Sequence, residues 1–185
     1  TVCHSRIHLK QTDMGSLKGT RISLRGPEPD DLDSLYLWEN DASLWPYGAT
    51  RAPLSRHQIW QYIDSYDGDV FSQRQLRMMI VDNLTGRAAG SVDLYDFDAR
   101  DGRVCVGIFI APEFRRQGFA REAMMLSGEY CRDTLGLHQM AAWVSVENMP
   151  SIALFKSAGF KTRACLKSWI RLGRRYVDVL VFQKF

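Results

Sequence analysis

The residues from Ile108 to Arg121, IFIAPEFRRQGFAR, are of the types and spacing that bind an anion. An apolar strand stops at Pro112, a short basic loop follows with Gly118 at its crest, and a helix begins at once. Such a junction aims successive backbone N–H groups and the positive end of a helix at one point. Gly118 lets the backbone approach a phosphate without a Cβ in the way, and the small Ala120 keeps the helix entry close. Arg115, Arg116 and Arg121 carry charge that can pair with phosphate oxygens. Taken alone, an R-x-x-G-x-A segment reads as a solvated surface loop. It is neither of the common nucleotide motifs, because the chain has no G-x-x-x-x-G-K-[ST] and no G-x-G-x-x-G.

Charge elsewhere is unevenly placed. Glu28 to Asp41 holds six acids and no Lys or Arg, and Lys161 to Arg175 holds six bases and no acid. These runs are either two solvated faces or an acidic lip for a cation and a basic lip for phosphates.

The elements that must position these residues follow from pattern. Residues 20–26 alternate as a strand. Pro27 and Pro29 end it, and Asp30 and Asp31 open a helix with Leu32, Leu35 and Tyr36 on one side. Trp45-Pro46-Tyr47-Gly48 reads as a loop. Ser55 and Gln58 form a capping box, followed by Ile59, Tyr62, Ile63 and Tyr66 at helical spacing. Residues 76–82 and 87–96 read as a hairpin around Asn83–Gly86, and 103–110 as a central buried strand. Gly118 to Asp133 reads as a helix with Phe119, Ala123, Leu126 and Tyr130 inward. A strand over 139–146 follows, then a short helix capped by Asn148 and closed by Gly159, then strands 160–171 and 174–184 joined at Leu172-Gly173. The order β-α-α-β-β-β-α-β-α-β-β predicts an α/β (α+β) fold: one domain with a mixed central sheet flanked by helices.

The totals bound the rest. With 185 residues, 45% hydrophobic, 24% charged and a net charge of +3, the chain suits one globular domain and demands no polyanionic partner. No apolar run is long enough to span a membrane. Cys3, Cys105, Cys131 and Cys165 form no C-x-x-C pair, so reduced thiols in a cytoplasm fit better than a disulfide framework or a metal site. Cys3, His4 and His8 cluster in a patternless start. Residues 1–17 read as a leader, appended or encoded from an upstream start, with Met14 near the beginning of the regular sequence and the domain over 18–185. His57 and His138 lie in no catalytic motif and read as structural. Trp60, beside Ile59, reads as core packing.

The signature R-x-x-G-x-A after V-G-I-F-I-x-P-E resembles the acetyl-CoA loop of the GNAT-type N-acetyltransferase superfamily. A second landmark follows one helix and one strand later: Glu147-Asn148-Met149-Pro150-Ser151, Leu154-Phe155 and Ala158-Gly159-Phe160 resemble the family's E-N-x-x-[SA]-x-x-[LI]-[YF]-x-x-x-G-F block. Trp169-Ile170-Arg171, Gly173, Tyr176 and Asp178 are similar to the last hairpin of the branch holding ribosomal-protein N-terminal and polyamine acetyltransferases. The resemblance covers residues 18 to 185 and implies a mostly antiparallel GNAT sheet. It also implies acetyl-CoA as co-substrate, no metal, and a primary amine as acceptor (polyamine, peptide N-terminus or other small amine).

The resemblance further implies roles. Residues Arg115, Arg116, Gln117, Gly118, Phe119, Ala120 and Arg121 would wrap the pyrophosphate, and the pantetheine arm would pair with the strand end at Phe109 and Ile110, where a backbone N–H can hold the thioester oxygen. Gly107 either opens space there or is a packing residue. Asn148 would bind the pantetheine amide while capping its helix. An alkyl ammonium loses its proton only near pH ~10, so a base or water relay helps. Relatives carry a glutamate on the strand that here holds Cys105 and Val106. Its nearest substitutes are Asp93, whose pKa would rise if it faced the sheet interior, and Glu147. Asp96 and Asp98 would attract a cation. Phe155 occupies the cofactor-contacting position where relatives place a proton-donating tyrosine, which leaves Ser151 or water to assist the thiolate. Trp38, Glu39, Trp45 and Tyr47 fall where the family covers its acceptor. Each of these is also readable as a cap, a core residue or a solvated strand end.

Two readings compete: an N-acetyltransferase working by direct attack on the thioester, and a catalytically weak acetyl-CoA-binding or sensing module. A nucleotide binder and a nucleic-acid binder are disfavoured by the missing motifs and the mild charge. Edge strands of such a sheet permit a homodimer.

Overall fold

A computed structural model describes residues 17–48, 50 and 52–185. Cys3, His4, His8 and Met14 lie outside the described residues. The strands are β1 (Ile22–Arg25), β2 (Leu76–Asp82), β3 (Ala88–Asp98), β4 (Arg103–Ile110), β5 (Gln139–Ser145), β6 (Lys161–Leu172) and β7 (Arg175–Lys184). The helices are α1 (Leu32–Glu39), α2 (Arg56–Asp64), α3 (Val70–Gln73), α4 (Phe119–Glu129) and α5 (Met149–Ser157).

One seven-stranded sheet has the order β1-β2-β3-β4-β5-β7-β6. Every pairing is antiparallel except β4 with β5. This is the mixed, mostly antiparallel sheet expected from the element order. The last hairpin folds back so that β7, not β6, meets β5, which leaves β6 as the edge.

Alternation along the strands divides the molecule into layers. Met78, Ile80, Val92, Leu94, Val104 and Val106 point to a core shared with Phe119, Ala123 and Met124 of α4 and with Ile152 and Phe155 of α5. On the other side Met79 packs with Leu35 of α1 and with Ile59 and Ile63 of α2. The Ser55–Gln58 capping box closes in both directions, as its sequence predicts.

Several expectations need correction. Helix α3 was unanticipated; Asp69 starts it by accepting from the N–H groups of Phe71 and Ser72. The helix over 118–133 is regular only to Glu129 and then widens into a π turn at Tyr130–Thr134. Trp60 is 46% exposed and stacks on His57 rather than entering the core. The acids of 28–41 are largely paired: Asp31 is buried and takes two bonds from Arg25, and Asp33 pairs with Arg56. Leu17 packs on the core, its carbonyl accepting from the Leu24 N–H at 2.7 Å.

Candidate active site

The β4–β5 pairing stops early. Only Arg103, Val104 and Cys105 face Gln139, Met140 and Ala141, yet β4 runs on to Ile110 and β5 to Ser145. Beyond Cys105 the two strands part. The β4 backbone from Gly107 to Ile110 therefore offers an unpaired edge, and those four residues are half-buried. An extended chain can add to such an edge like another strand.

The end of that edge leads into the basic loop. Arg116 and Gly118 both have positive φ, 62° and 83°. Left-handed residues separated by one that is not, as here across Gln117, turn successive N–H groups to one side and make a concave anion nest. The Arg115 N–H bonds Pro112, and the Glu122 N–H bonds Gly118. Between them, the N–H groups of residues 116–121 donate to none of the described residues. The guanidinium groups of Arg116 and Arg121 are exposed and are likewise without a partner among the described residues. Arg115 instead folds back, its Nε donating to the Ile110 carbonyl at 3.0 Å. Phe119 is buried against Phe114, so it brings its N–H to the loop and its ring to the core. Gln117 places its side-chain amide on the Glu113 carbonyl. Ala120 sits half-buried in the first turn of α4.

Arg21, just before β1, was not singled out from sequence. Its Nη1 donates to the Gln117 carbonyl at 2.7 Å. Holding that oxygen outward turns the N–H of the same peptide, that of Gly118, the opposite way, because the peptide is planar and trans. A Cβ on Gly118 would lie 3.3 Å from the same Arg21 nitrogen.

On the far side of the opening, Asn148 caps α5: its Oδ1 accepts from the Ser151 N–H at 3.2 Å. The Asn148 amide nitrogen and the Ser151 hydroxyl make no hydrogen bond to the described residues. Phe155 has only 3% of its surface exposed and packs on Phe160 and Phe182 at 5.1 and 5.9 Å. The expected cofactor contact is thus placed in the core beneath α5. Glu147 is held by Arg175 through both carboxylate oxygens, one at 2.8 Å. It neutralises the start of β7.

The α1 side of the opening carries the other candidates. Asp93, Tyr95, Cys105 and Gly107 alternate with the buried core residues of β3 and β4 and so lie on the side of the sheet where α1 and α2 pack. Asp93, named from sequence as a substitute base, is ion-paired. Its Oδ1 accepts from Arg77 Nε at 2.6 Å, and its Oδ2 has only a long 3.4 Å bond from the Ser91 hydroxyl. The same arginine reaches Glu39 through Nη1 at 2.6 Å, and Thr50 donates to the other Glu39 oxygen. Burial pulls the Arg77 guanidinium down, but Asp93 and Glu39 more than offset this and hold it above its ordinary value. Burial pushes the Tyr95 phenol up to about 12.

The turn after α1 arches over this face. The Trp45 indole donates to the Glu39 carbonyl at 2.9 Å, and Trp38 packs against Phe109 at 5.2 Å. The Ser43 hydroxyl and N–H hold the Asp41 carboxyl low, with Arg115 adding to the pull from across the opening. The ring of Tyr47 is exposed. Asp96 lies towards the β3–β4 turn, tied to Arg103 at 3.3 Å, on the side of Cys105 away from the basic loop. The structure therefore gathers Glu39 and Asp93 around Arg77, sets Trp38 on Phe109 of the β4 edge, and leaves Asp96 and Glu147 in separate ion pairs. Trp143 and Trp169, stacked at 5.9 Å beside Cys105, are a half-exposed aromatic pair that the sequence reading missed. Among the described residues no cluster of His, Cys, Asp and Glu could hold a metal.

The sequence matches a known family. The acetyltransferase (GNAT) domain matches residues 21–161, and the chain belongs to that family. It is similar to the uncharacterised N-acetyltransferase p20 of Bacillus licheniformis, 26% identical over 91% of this chain and 95% of that protein. It is also similar to the spermidine N(1)-acetyltransferase of Escherichia coli K12, 25% identical over 88% of this chain and 86% of that protein. Its fold matches the crystal structure of a spermidine N-acetyltransferase from Vibrio cholerae in complex with CoA and spermine. There the TM-score is 0.78, the identity 23%, and the match covers 90% of this chain and 96% of that one. The chain is an acetyl-CoA-dependent N-acetyltransferase. The free N–H groups of the basic loop and the open β4 edge fit that co-substrate, an anionic diphosphate on an extended amide-bearing arm.

Proposed function

We propose that the acceptor is a small cationic primary amine, of which a polyamine is the best fit, and that it attacks the acetyl thioester directly. The observation that carries this is the opening between β4 and β5, with unbonded N–H donors at one end and an anionic patch on its α1 face. Glu39, Arg77 and Asp93 together bear one net negative charge and lie beside Trp38 and the open β4 edge. That patch suits an ammonium. The curated relative from Escherichia coli is named for spermidine, which supports the same reading.

In this reading the loop from Arg115 to Arg121 holds the pyrophosphate, with the exposed Arg116 and Arg121 as its cations. The edge at Phe109 and Ile110 holds the pantetheine amides and offers an N–H to the carbonyl oxygen as negative charge develops there. Asn148 gives its amide nitrogen to the same arm. Asp93 Oδ2 receives the proton that the amine sheds, directly or through one water. The C–N bond forms as the C–S bond breaks, and the Ser151 hydroxyl hydrogen-bonds the departing thiolate. Trp45 and Tyr47 cover the amine.

The test follows CoA thiol release from acetyl-CoA with spermidine, an N-terminal peptide and an aminoglycoside as acceptors. Turnover fastest with spermidine supports the reading. Turnover fastest with the peptide would move the acceptor to a protein N-terminus. Tight acetyl-CoA binding with no turnover of any acceptor would favour a sensing module.

A further inference from the structure

Arg77 is the second residue of the otherwise largely apolar β2, and its side chain is about three-quarters buried (24% exposed). A guanidinium in such a place is costly unless its donors are matched. Here they are matched to two elements at once. Nε meets Asp93 on the neighbouring strand, and Nη1 meets Glu39 at the last turn of α1. The guanidinium also lies over the Tyr62 ring at 5.6 Å, and the Arg77 carbonyl accepts from the Tyr66 hydroxyl at 2.6 Å. Glu39 in turn is committed on every side. Its carboxylate meets Arg77 and Thr50, and its carbonyl accepts from Trp45 in the loop over the opening. Asp93 keeps one oxygen with spare acceptor capacity.

We infer that Arg77 is a positioning residue for acetyl transfer: it orients Asp93 so that Oδ2 faces the acceptor amine, and through Glu39 it latches the Asp41–Gly48 turn over that amine. The planar fork of arginine spans both carboxylates with fixed angles, which a single ammonium cannot do. Glu39 is then a loop anchor, and Asp93 is the carboxylate that meets substrate. The inference rests on the amine-acetylation reading above, so turnover of spermidine by the wild type is measured first; its absence would count against that reading and not against Arg77.

The experiment compares R77K, E39Q and R77M/E39Q, the last removing one carboxylate with the guanidinium so that the buried charge stays balanced and the fold survives. Spermidine kinetics, acetyl-CoA affinity by calorimetry and melting temperature are read for each. R77M/E39Q loses about 10–100-fold in kcat/KM, from both a lower kcat and a higher KM. E39Q raises KM and leaves kcat close to wild type. R77K keeps a cation against Asp93, so it recovers kcat while KM stays raised. Acetyl-CoA affinity stays within about twofold in all three, because the loop is a separate site. Two results would overturn the inference: unchanged kcat and KM in folded R77M/E39Q, or a lower kcat, a higher KM and a weaker acetyl-CoA affinity appearing together in R77K.

Discussion

Replacing Gly118 separates the two demands made on the anion loop. The residue sits at φ 83° as the N-cap of α4, with Arg21 Nη1 3.3 Å from where a Cβ would stand. Any L-residue there pays about 1–2 kcal/mol of backbone strain. In G118A that is the main cost, and for a chain of this size it lowers the melting temperature by about 2–8 °C. G118E adds a carboxylate to a site built for phosphate. Two unit charges ~5 Å apart at an effective dielectric of ~20 repel by about 3 kcal/mol. Arg21 lies close enough to pair with the new carboxylate, and this offsets part of the repulsion. A residual loss of about 2 kcal/mol corresponds to roughly a 30-fold weaker Kd. Calorimetric titration of acetyl-CoA into wild type, G118A and G118E checks this, with circular dichroism to establish folding. G118A is expected to bind within a few-fold of wild type, and G118E at least about 30-fold more weakly. A folded G118E that binds like wild type would refute the placement of the pyrophosphate.

Other perturbations test separate parts of the site. D93N should lower spermidine turnover most at low pH, where the deprotonated amine is scarce, and should leave acetyl-CoA affinity intact; a pH–rate profile checks it, and an unchanged profile removes Asp93 as the proton acceptor. R21M frees the Gln117 carbonyl to turn inward, so it should weaken acetyl-CoA binding by about tenfold, the size of one charge-assisted hydrogen bond, while sparing the amine KM. Burial pushes Cys131 and Tyr95 each up to about 12 and raises Tyr66 as well. In the unfolded chain these groups ionise lower, from about 8.5 for the thiol and 10 for the phenols. Their contribution is therefore complete below about pH 8.5 and is lost as pH rises towards the folded values, so urea midpoints should fall from pH 8 to pH 10.5. A flat profile over that interval would mean that these side chains are not desolvated.

Much of the scaffold was legible because local chemistry agreed with tertiary demand. Leu76–Asp82 and Arg103–Ile110 are strands of the expected extent, since a turn follows the first at Asn83–Gly86 and Asp101-Gly102 and Pro112 bound the second. Ser55 and Gln58 cap α2 through bonds that span three residues and need no partner from elsewhere. The anion loop was legible for the same reason: strand end, glycine and helix start are contiguous.

What escaped was non-local. Arg77 looks like any strand residue until Glu39 and Asp93, 38 and 16 positions away, are brought to it. Arg21 acts on a carbonyl 96 positions distant. Asp93 could be picked out as a carboxylate near the opening, but its ion pair depends on the β2–β3 register that sets it opposite Arg77. The family block drew Phe155 towards the cofactor, whereas its neighbours Phe160 and Phe182 come together only when β7 inserts beside β5. Trp60 shares a helix with buried isoleucines, but its own position on α2 turns it to solvent. The pairing of Trp143 with Trp169 likewise waits on the fold of the last hairpin.

The most direct test of the central claim is a backbone amide spectrum of the labelled protein with and without CoA. The largest shifts are expected at the amides of Arg116 to Arg121, where the N–H groups have no partner among the described residues, and at Gly107 to Ile110 on the open β4 edge. Large shifts elsewhere, with those two segments unmoved at saturating CoA, would contradict it.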